Sequence, residues 1–367
     1  MIKTPKIQPF PTKDALRAWL DKLFLSEHFI LYISLLFFLI LWPIVPRIAS
    51  GQNIANLASN MWPLLALAVG QMFVLIVGGI DLSQTSIMAF VSVSGAILMT
   101  SEYDPMLFEN NPLWGTFMSP EGGLLAGHPL ATPIGVLIML LLGVCVGAIN
   151  GVSVAKFKMP PFMVTLVSMM FFSGVAIFLT QSENIIHLPE SFVTIGKGKL
   201  AFLSIPFLIA LFIAGTAHYI MTKTVLGRWF YATGKNIKTS IVSGVPTGRV
   251  IITAYMFSGF CAAVASILYS ARLEGGRPTL GQTQMLDIVG AAVIGGISLM
   301  GGKGKVLWAI YGVIFFTLLA NALNMLNLSY FTINIVKGLV ILAAAFLDVT
   351  RSRLSKQASA PPGGCNE

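Results

Sequence analysis

Apolar residues in this chain come in long unbroken runs, such as "LYISLLFFLILW" at 31–42 and "LLALAVGQMFVLI" at 64–76. A helix crosses a bilayer with about 20 apolar residues. Membrane barrels alternate apolar and polar positions instead, and these runs do not alternate. The pattern predicts an all-α, polytopic helical membrane protein. Runs centred near residues 37, 69, 92, 140, 171, 211, 261, 293, 314 and 340 predict about ten transmembrane helices.

The polar interruptions organise the rest. Residues 1–28 form a cytoplasmic N-terminal segment. Within it Leu16, Trp19, Leu20, Leu23 and Phe24 fall at helical spacing, which suits either a surface amphipathic helix or a plain lead-in. Residues 29–350 form the transmembrane domain, and the polar tail at 351–367 reads as disordered. Residues 101–130 are acidic and rich in Pro and Gly, the composition of a loop. Residues 222–249 are too polar to span and read as a short surface helix closing at Ser243-Gly244. Val225, Leu226, Trp229 and Phe230 would anchor it. A polar turn would run through Gly234, Lys235 and Asn236, with Gly234 supplying a positive φ. An internal echo pairs "VGGIDLS" at 77–83 with "IGGISLM" at 294–300, and "AINGV" at 148–152 with "ANALN" at 320–324. Such echoes are the mark of two pseudo-repeated halves.

Composition supports a lipid environment: 56% of residues are hydrophobic and 10% charged, against roughly 25% charged in a soluble domain. Mean hydropathy is +0.83. The net charge of +9 reflects topology more than a nucleic-acid partner. With the N-terminus inside, seventeen Lys and Arg fall on the cytoplasmic side and five outside, and Lys337 sits within the last span. That bias also puts the C-terminus inside. Cys145 and Cys261 read as small core residues. His28, His128, His187 and His218 have no ligand spacing, so no metal site is expected. "GISLMGGKGK" departs from a nucleotide-binding loop at the residue after its lysine and reads as a tight turn between spans.

Two adjacent glycines at membrane depth predict a helix break at Gly78-Gly79, and the echo predicts a second at Gly295-Gly296, next to Ser298. Asp81 and Ser83 would then cap the restarting helix. A cation- or proton-carrying role for Asp81 is the alternative. Gly143, Gly147 and Gly151 recur every four residues and predict close helix packing, within the protomer or at a dimer seam. Lys337 lies about 10 Å into its span at 1.5 Å per residue. It either snorkels or pairs with Asp287 or with carbonyls at a break.

Several segments together resemble one family. They are "GGIDLS", Asn150-Gly151, "PPFMVTL" at 160–166, "LGRWFYATGKN" at 226–236, "SGV" at 243–245, "LDIVGAAVIGGISLMGGKG" at 286–304 and "IVKGLVILAAAFLD" at 335–348. In this order they look like the permease subunits of ABC importers for ribose, galactose, xylose and arabinose. This chain has "GGIDLSQT" where the family usually has "GGIDLSVG", and Thr239 and Ser240 where alanines are usual.

The resemblance implies translocation of a monosaccharide delivered by an extracytoplasmic binding protein. It implies a homodimer, or a heterodimer with a related permease, in lipid of a bacterial inner membrane. A cytoplasmic ABC ATPase would supply ATP hydrolysis, so ATP and Mg belong to that partner and this chain needs no cofactor, has no catalytic residues and is not an enzyme. Gly227, Arg228, Tyr231, Gly234, Asn236, Ser243 and Gly244 would couple to the ATPase. Asn150, Phe162, Thr165 and Asn321 would line or gate the path. The alternatives are an ABC permease for nucleosides, branched-chain amino acids or a signalling furanoside, an ion-coupled secondary transporter, and a membrane enzyme.

Overall fold

The computed structural model describes residues 26–109, 111–200 and 203–358, with side chains described through residue 346. In chain order the helices are α1 (Phe29–Leu41), α2 (Gly51–Asn60), α3 (Trp62–Ile76), α4 (Gln84–Met99), α5 (Pro105–Phe108), α6 (Ala131–Ala155), α7 (Pro161–Thr180) and α8 (Glu190–Lys197). There follow α9 (Ile205–Lys223), α10 (Val225–Lys235), α11 (Ile237–Val242), α12 (Thr247–Arg272), α13 (Met285–Gly295), α14 (Val306–Met325) and α15 (Tyr330–Ala358). Strand is confined to two tiny antiparallel pairs among the described residues, Met118–Ser119 with Gly122–Gly123 and Lys199–Leu200 with Leu203–Ser204.

Each of the ten expected span centres falls inside a helix. Among the described residues six helices are long and apolar enough to cross a membrane, with α2 and α3 counted as one. The helices at the third and eighth centres are short: α4 has 16 residues and α13 has 11. At 1.5 Å per residue they reach about 24 and 17 Å, less than a bilayer core of about 30 Å. Each adjoins one of the double-glycine breaks. α3 stops where Gly78 takes φ +83°, and α13 stops where Gly296 takes φ +104°. Only glycine adopts these angles without strain.

α12 is the axis of the bundle, buried along most of its length. Its partner α6 closes on it through the glycine stripe. A Cβ at Gly143 would lie 2.6 Å from the Gly259 carbonyl oxygen, and one at Gly151 would lie 2.7 Å from Ile252 Cα. The stripe is therefore a packing face inside the protomer. α3 crosses α12 on another side, where Phe73 stacks on Phe257 with ring centroids 4.7 Å apart. Cys261 is buried there, but Cys145 is exposed, because it sits on the face of α6 away from the stripe.

The two ends of the bundle differ. One, the basic end, carries α10, α11 and the turn after α13. The other, the loop end, carries residues 101–130, which are folded more than a loop composition implies. Asp104 caps α5, the Tyr103 hydroxyl donates to Ile97 O at 2.9 Å, and Asn111 Nδ2 donates to Leu179 O at 2.7 Å. Helix α15 continues through Ala358, so residues 351–358 are helical where a disordered tail is expected. No Gly or Pro interrupts the chain there until Pro361. The surface helix considered for 15–24 lies outside the described residues.

Candidate functional site

The first break forms one polar node. Asp81 is 2% exposed. Its Oδ1 accepts from Ser83 N at 2.9 Å and from Ser83 Oγ at 2.6 Å. Its Oδ2 accepts from Ser258 Oγ, on α12, at 2.6 Å. Asn150 Nδ2, on α6, donates to Ser83 Oγ at 2.8 Å, and Gln84 Nε2 donates to Ser258 Oγ at 2.8 Å. With the Gln71 amide nitrogen turned toward the Asp81 carbonyl, Gln71 bonds both backbone groups of Asp81, at 3.0 and 3.2 Å.

This differs from a helix cap. Ser83 is the N-cap residue of α4 but makes no side-chain cap bond. Asp81 reaches the N–H two residues on, as short acidic side chains do in turns. Its second oxygen is left to tie the break to α12. Gly79 belongs to the node as well. A Cβ there would lie 2.6 Å from the Tyr255 hydroxyl, which is buried and has no hydrogen-bond partner among the described residues. Gln71, Gln84, Tyr255 and Ser258 were not singled out by sequence reasoning. Gln71, Tyr255 and Ser258 are polar residues inside otherwise apolar runs, which is the available signal, and Gln84 belongs to the polar stretch "DLSQTS" at 81–86.

The segment at 222–249 folds as two short helices rather than one. Thr224 caps α10 by accepting from Gly227 N at 3.2 Å. Asn236 caps α11 by accepting from Thr239 N at 3.1 Å. Gly244, at φ +78°, ends α11 just after Ser243. Gly227 is tight against the end of α9, where a Cβ would lie 2.5 Å from Ile220 O. Arg228 lies on α10, two residues before the buried Phe230.

Gly234 corrects the expectation placed on it. It lies within α10, not in a turn, and its φ is not positive. It is glycine because a Cβ would fall on the Ile76 carbonyl oxygen and 2.6 Å from Gly302 N. That carbonyl already accepts from Gly302 N at 2.8 Å. Gly301, at φ +82°, lies so close to Gly78 that its Cβ would sit 3.0 Å from Gly78 N. Tyr231 completes the junction, donating from its hydroxyl to Gly304 O at 2.8 Å. Burial pushes that hydroxyl above its usual range, which keeps it protonated and a donor. Backbone from α3, α10 and the turn after α13 thus meets at one point. Ser298 shapes this turn, bonding Met300 N through its Oγ at 3.2 Å. Gly295 lies against the Trp308 carbonyl of α14.

The four residues expected along a path are not brought together. Asn150 is in the Asp81 node. Thr165 is fully buried and donates to Ile80 O at 3.2 Å, so it holds the break from the α7 side. Phe162 is exposed at the start of α7. Asn321 is far from these, exchanging amide bonds with Asn53 at 3.0 and 3.1 Å. Lys337 Nζ meets Asp287 Oδ2 at 2.6 Å, with both side chains largely buried near the loop end. Among the described residues no cluster of His, Cys, Asp and Glu could hold a metal.

Residues 53–345 match the family described as "Branched-chain amino acid transport system / permease component". The chain belongs to this permease family. It is similar to the ribose import permease protein RbsC of Haemophilus influenzae, 32% identical over 83% of this chain and 87% of that protein. It is also similar to the L-arabinose ABC transporter permease protein AraH of Azospirillum brasilense, 27% identical over 88% and 87%. The D-allose transport system permease protein AlsC of Escherichia coli is 28% identical over 81% and 83%. No solved structure matches the chain.

Proposed function

We propose that this permease is the transmembrane subunit of an ATP-binding cassette importer that moves a monosaccharide across a bacterial inner membrane. The observation that carries the sugar is the substrate named for its relatives, ribose, arabinose and allose, over more than four fifths of this chain. The description of the wider family, which mentions branched-chain amino acids, keeps that class as the competing substrate.

The basic end faces the cytoplasm by the lysine and arginine bias, and both termini lie there. A separate ATPase docks on α10 and α11. The backbone junction of Gly234, Ile76 and Gly302 supports this reading, because a force on α10 reaches the first helix break without passing through any flexible side chain. Hydrolysis of ATP with Mg takes place on that ATPase, and the permease itself performs no catalysis. A binding protein delivers the sugar at the loop end, and two permeases, identical or related, form the assembly.

The test is reconstitution in liposomes. The chain with its ATPase and binding protein should take up sugar only with ATP, and the chain alone should take up none on an ion gradient. Robust gradient-driven uptake by the chain alone would overturn the reading.

A further inference from the structure

We infer that the basic end holds a headgroup site for one anionic phospholipid of the cytoplasmic leaflet. The site is a cleft between the entry to α1, the end of α9, α10 and the start of α14. The inference goes beyond import of a solute and takes from that reading only the cytoplasmic orientation of the basic end. The cleft has a volume of about 590 Å³, within the range of roughly 300–1,000 Å³ for small-molecule sites.

Charge selects the class of occupant. Lys235, Lys303 and Lys305 line the cleft, and Glu27 is its one carboxylate among the described residues. Lys305 Nζ is taken by Glu27, bonding both carboxylate oxygens at 2.6 Å. The ammonium groups of Lys235 and Lys303 have no hydrogen-bond or ion-pair partner among the described residues. Packing nonetheless holds these two lysines on one wall, because the stem of Lys235 lies over Gly302. A Cβ on that glycine would be 2.8 Å from Lys235 Cγ. Two uncompensated like charges on one wall favour an anion between them. A phosphodiester carries acceptor oxygens for both ammonium groups.

The rest of the wall selects a lipid over a soluble anion. Met221, Val306, Leu307 and the rings of Trp308 and Tyr311 make it largely apolar. Trp and Tyr are the residues that sit at headgroup level. Tyr311 is fixed by His28 Nδ1 at 2.9 Å, and Lys305 Nζ lies 5.7 Å from the Trp308 ring centroid. The flanking helices turn apolar side chains outward, with Leu35, Leu36 and Leu39 exposed on α1 and Leu211, Phe212 and Tyr219 exposed on α9. The acyl chains of a lipid seated here continue along a surface that already faces the bilayer. Its phosphate joins α10 to the turn after α13, the two elements that Tyr231 also joins through its bond to Gly304 O. The lipid is therefore a second clamp beside the backbone junction.

The experiment is native mass spectrometry of the purified, delipidated full chain, titrated with palmitoyl-oleoyl phosphatidylglycerol and with phosphatidylcholine of the same chains. Phosphatidylglycerol should be retained saturably and about tenfold or more tighter than phosphatidylcholine. Lys235→Gln and Lys303→Gln should each weaken its retention about fivefold, the equivalent of about 1 kcal/mol for one lysine at a membrane surface. Lys303→Arg should keep the retention. Lys156→Gln, which removes the same charge at the end of α6 outside the cleft, should leave it unchanged. Phosphatidylglycerol should also raise the unfolding temperature of the wild-type chain more than that of Lys303→Gln, with circular dichroism reporting that each variant folds. Equal affinity for the two lipids, or equal losses in Lys156→Gln and Lys303→Gln, overturns the site. Displacement of the lipid by inorganic phosphate would make this a free-anion site, and displacement by the ATPase would make it an ATPase contact; either result overturns the lipid. All of these outcomes are read without transport, so they stand or fall apart from the import reading.

Discussion

Gly234→Ala is the sharpest test of the junction at the basic end. Three effects compete. Alanine is the better helix former, by about 1 kcal/mol in a helix interior, and Gly234 lies within α10. Against this, the added methyl must occupy the place of the Ile76 carbonyl oxygen. Forcing one extra carbon into a packed interior costs about 1–3 kcal/mol. Moving the oxygen aside also breaks its 2.8 Å bond from Gly302 N, and an N–H left unpaired costs about 1–3 kcal/mol more. The losses exceed the gain, and the net destabilisation is at least about 1 kcal/mol. Gly248→Ala is the control, since a Cβ there meets nothing within 4 Å. Thermal unfolding of the purified chain should fall for Gly234→Ala and hold for Gly248→Ala. In the assembly with its ATPase, Gly234→Ala should hydrolyse ATP with reduced uptake per turnover. Equal unfolding temperatures and equal coupling in the two variants would refute the argument.

Other substitutions probe the remaining contacts. Ser258→Ala removes the donor to Asp81 Oδ2 and the acceptor for Gln84 Nε2, and should cost about 1–3 kcal/mol in denaturation of the micellar protein. Asp81→Asn keeps an oxygen for Ser83 N and should preserve folding and most transport, whereas Asp81→Leu should lose folded protein; a folded but transport-dead Asp81→Asn would give Asp81 a direct role. Lys337→Met leaves Asp287 unpaired and should destabilise by about 2–4 kcal/mol, less than for a fully buried pair because both side chains keep some exposure. The double variant with Asp287→Leu should recover most of that loss, and additive losses would argue against the pairing. Tyr231→Phe removes the bond to Gly304 O and should cost about 1 kcal/mol.

The helices were legible because lipid permits few solutions. Every backbone group must be bonded within its own segment, so a long apolar run reads as a helix. The glycine pairs were legible as breaks for the same local reason, since Gly78 and Gly296 carry positive φ. Across long separations the Lys337–Asp287 pair was among the readings the sequence offered, but other long-range contacts were not legible. Gly234 looks identical in sequence whether it serves a turn or a close approach, and only the arrival of Ile76 and Gly302 decides between them. Asp81 shows the same limit. An Asp-Leu-Ser stretch suggests a local cap, but its second oxygen is claimed by Ser258, 177 residues away. Asn150 and Thr165 were chosen for a path because they are polar in apolar runs, and that property is equally served by holding a break. Asn321 was chosen for a path too, and its partner Asn53 lies 268 residues away.

Two carboxylates in the bundle, Asp81 and Asp287, sit in opposite surroundings. Asp81 is sealed, with both side-chain oxygens and both backbone groups engaged by Ser83, Ser258 and Gln71. A group so fully bonded has nothing left to offer a passing solute, and moving it would break several bonds at once. It therefore fixes the break to α12, and the glycine junction beside it passes displacement on from α10 as a unit. Asp287 is the reverse case. One oxygen is held by Lys337, the residue keeps partial exposure, and a neighbouring amide has an unpaired oxygen. In an apolar protein polar groups are too costly to leave idle. Fully paired groups such as Asp81 hold the fold, and a half-paired one such as Asp287, with Lys337 on one oxygen, keeps the capacity to accept another bond.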